Sequence, residues 1–397
     1  MKSSSLAFSI ALAVGMGLSG CGDKTTSTTE TTTTTTTTTT QAAPESTVIK
    51  IGQSSPLTGP QAHIGKDNDN AVRLAIDEIN ASKPTIGGKP VTFEVMSEDD
   101  QADPKTATIV AQRMIDAGIV GVVGHLNSGA TIPASKVYSD NNIPQISPSA
   151  TAIKYTAQGF KTAFRVMTND EQQGKVLGAY AAKLGKKVAI IDDQTAYGQG
   201  LAAEVEKAAK AAGANVVAVE HTNDKATDFS AILTSIKGKK PDVIFFGGMD
   251  PQAAPIAKQM HQLGMRAQLL GGDGMQTPKF IELAGADAEG AIASIPGLPI
   301  ESMPKGKEFQ QKFEAKYGQI QLYAPYAYDA AYVMVEAMKK ADSTDPEKYL
   351  PELAKTSYSG VTGNIGFDAK GDLTSGPITL YTVKGGKWTT LETVQPK

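Results

Sequence analysis

The residues of this chain that could do chemistry cluster in short loops rich in serine, threonine and glycine. Three of these are Ser54-Ser55-Pro56-Leu57-Thr58-Gly59-Pro60, Gly124-His125-Leu126-Asn127-Ser128-Gly129 and Ser147-Pro148-Ser149-Ala150-Thr151. Three more are Asp192-Asp193-Gln194-Thr195-Ala196-Tyr197-Gly198, Gly247-Gly248-Met249-Asp250 and Gly271-Gly272-Asp273-Gly274. Free backbone N–H groups at helix starts beside small hydroxyl residues favour an anionic group such as a carboxylate. Binding is the chemistry such loops suit.

Catalytic patterns are poorly represented. Gly59 to Lys66 approaches a P-loop, but five residues separate its glycines and Asp67 stands where a Ser or Thr is needed. No G-x-G-x-x-G follows a predicted strand, and Ser128 lacks the G-x-S-x-G elbow. His63, His125, His221 and His261 never fall at a metal-ligand spacing and read as surface or capping residues. The runs Glu98-Asp99-Asp100 and Asp192-Asp193 read as caps and solvated loop ends. A single cysteine, Cys21, excludes an intramolecular disulfide and a thiolate zinc site. Neither a cofactor nor a metal is implied, and no nucleophile–base pair suggests an enzyme.

The elements that position these loops follow from length and pattern. At roughly 150 residues per domain, 397 residues suggest two to three domains. A 40% apolar and 20% charged composition suits a globular chain with a substantial core. A formal charge of −3 with no basic stripe argues against nucleic acid as a partner.

Residues 1–20 read as a signal peptide: Lys2 is followed by a short apolar stretch, Leu6 to Leu18, too short to span a bilayer comfortably. It ends in Leu18-Ser19-Gly20-Cys21, which resembles the lipobox of bacterial lipoproteins, where the cysteine is lipidated. Residues 21–46, with ten consecutive threonines from Thr31 to Thr40, have too little apolar surface to offset their ordering entropy and read as a disordered tether. Such a segment spans about 30 Å as a flexible coil.

From Thr47 the pattern alternates. Strands are expected at Val48 to Ser54, Val91 to Ser97, Ile119 to Gly124, Val188 to Asp192, Asn215 to Val219, Val243 to Phe246 and Gln268 to Leu270. Helices are expected at Asn68 to Asn80, Pro104 to Ala117, Ser128 to Asp140, Glu171 to Leu184, Gly198 to Ala212, Asp228 to Lys237 and Pro251 to Leu263. Two further helices near Glu308 to Tyr317 and Tyr326 to Lys340 precede short strands around Ile365 and Thr379 to Val383. Two runs of strand–helix alternation imply two doubly wound parallel α/β lobes, whose ligands bind beyond the carboxyl ends of the strands.

Gly124-His125-Leu126-Asn127-Ser128, Ser147-Pro148-Ser149-Ala150-Thr151, Tyr197-Gly198-Gln199-Gly200-Leu201 and Lys370-Gly371-Asp372-Leu373 resemble motifs of the leucine/isoleucine/valine-binding proteins. These are type I periplasmic binding proteins that deliver amino acids to ABC permeases. The resemblance runs from about Val48 to Val383. It implies two Rossmann-like lobes joined by three crossovers, lobe 1 being 47–168 plus 297–375 and lobe 2 being 169–296 plus 376–397. Ligand would bind in the cleft, the lobes closing on a hinge.

By the same resemblance, Ser128 matches the serine whose hydroxyl holds the ligand carboxylate. Thr151 matches a second carboxylate contact, Ser149 offers its carbonyl to the amino group, and Ala150 lies between them. Tyr197 matches the tyrosine that closes over the ligand, and Asp273 the glutamate that pairs with the ammonium. Ile64 and Met249 stand where the family has aromatic residues. The implied protein is a monomeric, non-enzymatic lipoprotein of the periplasm or cell surface. It would be membrane-anchored through Cys21 and would hand an aliphatic amino acid to an ABC permease. A ligand-binding module for a separate sensory receptor, or a binder of another small amide or amino-acid-like solute, is the alternative.

Overall fold

The computed structural model describes residues 46–374 and 376–395. The expected signal peptide, the Cys21 attachment site and the tether up to residue 45 lie outside the described residues. The first sheet contains β1 (Thr47–Ser55), β2 (Thr85–Ile86), β3 (Lys89–Asp99), β4 (Ile119–Gly124), β5 (Gln145–Ser147) and β6 (Ala163–Arg165) in the order β2-β3-β1-β4-β5-β6. The second contains β7 (Lys187–Asp192), β8 (Asn215–His221), β9 (Val243–Gly247), β10 (Gln268–Gly271) and β11 (Ile292–Pro296). After a small hairpin of β12 (Tyr358–Ser359) and β13 (Asn364–Ile365), β14 (Ile378–Lys384) and β15 (Lys387–Val394) complete the second sheet in the order β15-β14-β11-β10-β9-β7-β8.

Helices α1 (Ala62–Ala81), α2 (Pro104–Asp116), α3 (Ser128–Asp140) and α4 (Lys154–Ala157) follow strands of the first sheet. Helices α5 (Asp170–Leu184), α6 (Ala196–Ala211), α7 (Ser230–Gly238), α8 (Asp250–Gln262) and α9 (Pro278–Ala284) alternate with strands of the second. Helices α10 (Gly306–Tyr317), α11 (Ala324–Lys340) and α12 (Pro346–Ala354) return to the first lobe, where α11 packs on α1. The chain thus passes between lobes after β6, after β11 and before β14.

The strand cores are apolar runs because parallel strands are covered on both faces: every residue of β9, Val-Ile-Phe-Phe-Gly, is buried. Helix starts are fixed locally. Asp103 accepts the Thr106 N–H at 2.7 Å ahead of Pro104, and the Thr195 hydroxyl accepts the Gly198 N–H at 3.0 Å. In each sheet the order reverses beside its first strand, β1 or β7. Ser54 then stands opposite Gly124, and Asp192 opposite Gly247. The loops after β1, β4, β7 and β9 therefore gather at the two switch points, which face each other.

Several elements depart from the sequence expectation. Helix α1 begins at Ala62 rather than Asn68, although its first turns are polar. Gly65 permits this, since a Cβ there would lie 1.9 Å from the Pro56 carbonyl oxygen. Strand β15 was not expected. It pairs with β14 across Gly385-Gly386, both at positive φ (59° and 73°), the geometry of a tight two-residue hairpin that glycine adopts freely. His125 is not a surface residue: it is fully buried, with Nδ1 2.7 Å from Asp100 and Nε2 3.1 Å from the Tyr138 hydroxyl. Asp100, Asp192 and Asp193 are likewise buried rather than solvated.

Candidate functional site: the interlobe cleft

Between the lobes lies a cavity of about 480 Å³ whose wall includes Asn127, Ser128, Tyr197 and Met249, together with Asp193 and Asp224. Ser128 opens α3, so its backbone N–H joins the unpaired donors of a helix start. Its hydroxyl accepts the Ala152 N–H at 3.2 Å, which ties α3 to the next loop. That loop is folded on itself: the Ser147 hydroxyl accepts the Ala150 N–H at 2.9 Å, and the Ser149 hydroxyl donates to the Leu126 carbonyl at 3.0 Å.

Arg165, fully buried, holds the loop from behind. It donates to the Ala150 carbonyl at 2.6 Å, the Ala152 carbonyl at 3.0 Å and the Thr156 hydroxyl at 2.9 Å, while its Nε pairs with Asp372 at 2.6 Å. A guanidinium out of water is tolerated only with its donors engaged in this way. The Thr151 carbonyl accepts the Asp170 N–H at 2.9 Å, and the buried Thr151 hydroxyl has no partner.

On the opposite lobe, the Tyr197 hydroxyl donates to Asp273 at 2.9 Å and accepts the Gly274 N–H at 3.1 Å. Gln173 donates to the same carboxylate oxygen at 2.9 Å and to Ser294 at 2.9 Å. The other oxygen of Asp273 accepts the Tyr323 hydroxyl at 2.5 Å. Tyr323 sits just ahead of α11 on a segment anchored to α1, for Asp67 accepts the N–H groups of Gln321, Leu322 and Ala324 at 2.9–3.0 Å. Burial pushes the Asp67 carboxyl up to about 6 despite those bonds. Burial likewise raises Asp273 above the ordinary carboxylate range, although Tyr323, Gln173 and Tyr197 oppose the shift.

Asp170 is a second buried carboxylate at this site. Among the described residues, neither of its oxygens has a hydrogen-bond partner. Burial drives its pKa up to about 8; the Asp273 charge adds to the rise, and the Arg165 charge restrains it. No lysine or arginine among the described residues is hydrogen-bonded to either carboxylate. Two buried carboxylates of this kind favour a cation with N–H donors. Sequence reasoning missed Asp170 because Asn169-Asp170 reads only as the start of a helix. It missed Tyr323 because a tyrosine ahead of a helix carries no motif.

Of the expected site residues, Ser128, Tyr197 and Met249 line the cavity. Asp273 lies one hydrogen bond behind Tyr197. Ser149, Ala150 and Thr151 are buried in the loop bonded to Ser128. Ile64 is fully buried and does not reach the wall. Asp273 also departs from the expectation of a carboxylate left free for an ammonium: it already accepts three hydrogen bonds, which leaves about one lone-pair position of roughly four.

A profile of the periplasmic binding protein family matches residues 48–387. The chain is 34% identical over 336 residues to a leucine-, isoleucine-, valine-, threonine- and alanine-binding protein of Pseudomonas aeruginosa, covering 84% of this chain and 89% of that one. It is 36% identical over 327 residues to a Leu/Ile/Val-binding protein homologue of Brucella suis, covering 82% and 87%. A leucine binding protein from Thermotoga maritima superposes with a TM-score of 0.80 at 28% identity, over 88% of this chain and 99% of that chain. A branched-chain amino acid transporter substrate binding protein from Streptococcus pneumoniae, solved with isoleucine, gives 0.79 at 30% identity, over 88% and 100%. Members of this family are solute-binding proteins rather than enzymes, with the two-lobed type I fold described above. With the profile spanning both lobes and relatives above 30% identity matched over most of their length, the chain belongs to the branched-chain amino acid-binding family of periplasmic binding proteins.

Proposed function

We propose that this protein captures a zwitterionic amino acid with an aliphatic side chain in the interlobe cleft and delivers it to an ABC permease. The observation that carries this reading is the presence of two opposite charge preferences around one cleft, one at its wall and one buried behind Tyr197. The helix start at Ser128 favours a carboxylate, and buried Asp170 and Asp273 favour an ammonium. In this reading Ser128 and Thr151 hold the carboxylate, and the Ser149 carbonyl, Asp170 and Asp273 take the ammonium. Tyr197 closes over the ligand and Ala150 sets the loop spacing. Met249 forms the wall of the side-chain end, and Ile64 belongs to the same buried core. The Pseudomonas aeruginosa relative is named for leucine, isoleucine, valine, threonine and alanine, which supports a side-chain end tolerant of length.

The lobes divide at 47–168 plus 297–375 and 169–296 plus 376–397. The protein is exported, lipidated at Cys21 and works as a membrane-anchored monomer. Native mass spectrometry of the protein as purified tests the core of the reading. An added mass matching an aliphatic amino acid is expected, and a co-purified solute lacking an amino group would displace it.

A further inference from the structure

One contact spans the cleft without involving the head-group residues. His63, in the first turn of α1, lies on the first lobe. Its Nε2 is 2.7 Å from Oδ2 of Asp250, the first residue of α8 on the second lobe. The same oxygen accepts the Thr277 hydroxyl at 2.7 Å. Thr277 is in turn fixed by capping α9, where its hydroxyl accepts the Phe280 N–H at 2.9 Å, and by the Trp388 indole, which donates to its carbonyl at 2.9 Å. Asp250 is therefore held rigidly on its lobe and is fully buried, with Oδ1 unpartnered.

The pair is placed where it can gauge the ligand. Asp250 follows Met249, which lines the cavity, and His63 lies two residues beyond Gln61, which lines it from the first lobe. We infer that His63 and Asp250 form a latch that holds the lobes together and fixes the width of the side-chain end of the cleft. This inference rests on the cleft being the amino-acid site. Forming the bond requires α1 and α8 to approach to one set distance, so a side chain too bulky for that distance must break it. Without His63, a buried carboxylate would keep Thr277 alone, and opening the cleft would hydrate it. The latch thus opposes opening only while both partners are present.

The test uses His63→Ala, Asp250→Asn and the double variant of the full chain. Spin labels are placed at Ile109→Cys and Val219→Cys, exposed positions on the two lobes, in a Cys21→Ser background. In ligand-free protein, each single variant should shift the interlobe distance distribution to longer values, with the double variant adding little further shift. Leucine dissociation should quicken about tenfold with association nearly unchanged, the size expected for one charge-assisted bond. The ratio of leucine to phenylalanine affinity should fall as the width is released. Distance distributions unchanged by His63→Ala overturn the latch even where leucine binds well. Shifted distances with an unchanged affinity ratio overturn the gauge. Shifted distances in a protein that binds no amino acid overturn the binding reading and leave the latch standing.

Discussion

The Tyr323 hydroxyl of the first lobe donates to Asp273 of the second at 2.5 Å, so one lobe completes the hydrogen-bonding shell of a carboxylate on the other. Together with Tyr197 and Gln173, it surrounds Asp273 with neutral donors and leaves the charge itself uncompensated. An ammonium is the partner such a shell lacks. Replacing Asp273 with alanine should weaken amino-acid binding about ten- to a hundredfold, corresponding to a charge-assisted bond of roughly 1.5–3 kcal/mol. Calorimetry with equal affinities for the two proteins would place the amino group elsewhere.

Asp170 makes a pH prediction with a definite sign. Its folded-state pKa, raised by burial to about 8, lies above the ordinary carboxylate value of 3.8. Between those values the folded protein keeps a proton that the unfolded chain has lost. Stability of the unliganded protein should therefore fall as pH rises from about 4 to about 8 and then level off. A ligand ammonium favours the ionised form, so the ligand-induced rise in melting temperature should grow across the same interval. In Asp170→Asn that growth should shrink to what Asp273 alone contributes. Melting curves with and without leucine at pH 5, 6.5 and 8 decide it; a ligand effect independent of pH removes Asp170 from the ammonium site.

Arg165 holds the segment from Ala150 to Thr156 in place. In Arg165→Met, the Ala150 and Ala152 carbonyls and Asp372 would lose their shared donor, and breaking a buried ion pair costs about 3–5 kcal/mol. Denaturant unfolding should show a loss of that order. A change under 1 kcal/mol would mean that water or a neighbour replaces the guanidinium.

Where the local pattern was strong, the sequence sufficed. Helix Ser128–Asp140 and strand Ile119–Gly124 were placed to the residue, since a fully apolar strand followed by a loop and a hydroxyl-led helix admits few alternatives. The loops carrying Ser128, Tyr197 and Met249 were legible for the same reason. What was hidden depends on long-range contact. His63 meets Asp250 across 187 positions of sequence, and Tyr323 meets Asp273 across 50. Burial of His125 and Asp170 is equally invisible locally, because a polar residue at a strand or helix end is exposed or covered according to what the distant chain lays over it.

In the proposed reading, side-chain preference should follow Met249. Met249 offers nothing to pair with a polar group, and burying one unpaired costs about 1–3 kcal/mol. Each buried methylene contributes about 0.8 kcal/mol. Leucine, isoleucine and valine should therefore raise the melting temperature most, with alanine behind them and serine, glutamate and lysine doing little. A panel led by glutamate or an amide would exclude the aliphatic preference.

The anchor is tested at Cys21. Cys21→Ala should release the protein from membranes or leave it unprocessed. Fractionation identical to the unaltered protein would exclude lipid attachment at that position.

The placement of β14 has a consequence for biogenesis. This strand is antiparallel to β11, which precedes it by about eighty residues, and it is the last part of the chain to join the second sheet apart from its own hairpin partner. A polypeptide emerging vectorially from a ribosome or a translocon therefore holds β11 as an open edge while the whole α10–α12 segment is still being delivered. Such an edge is a template for pairing with another chain. Premature termination after β13 should thus yield aggregates rather than a functional fragment, and a holding chaperone would have its work at β11.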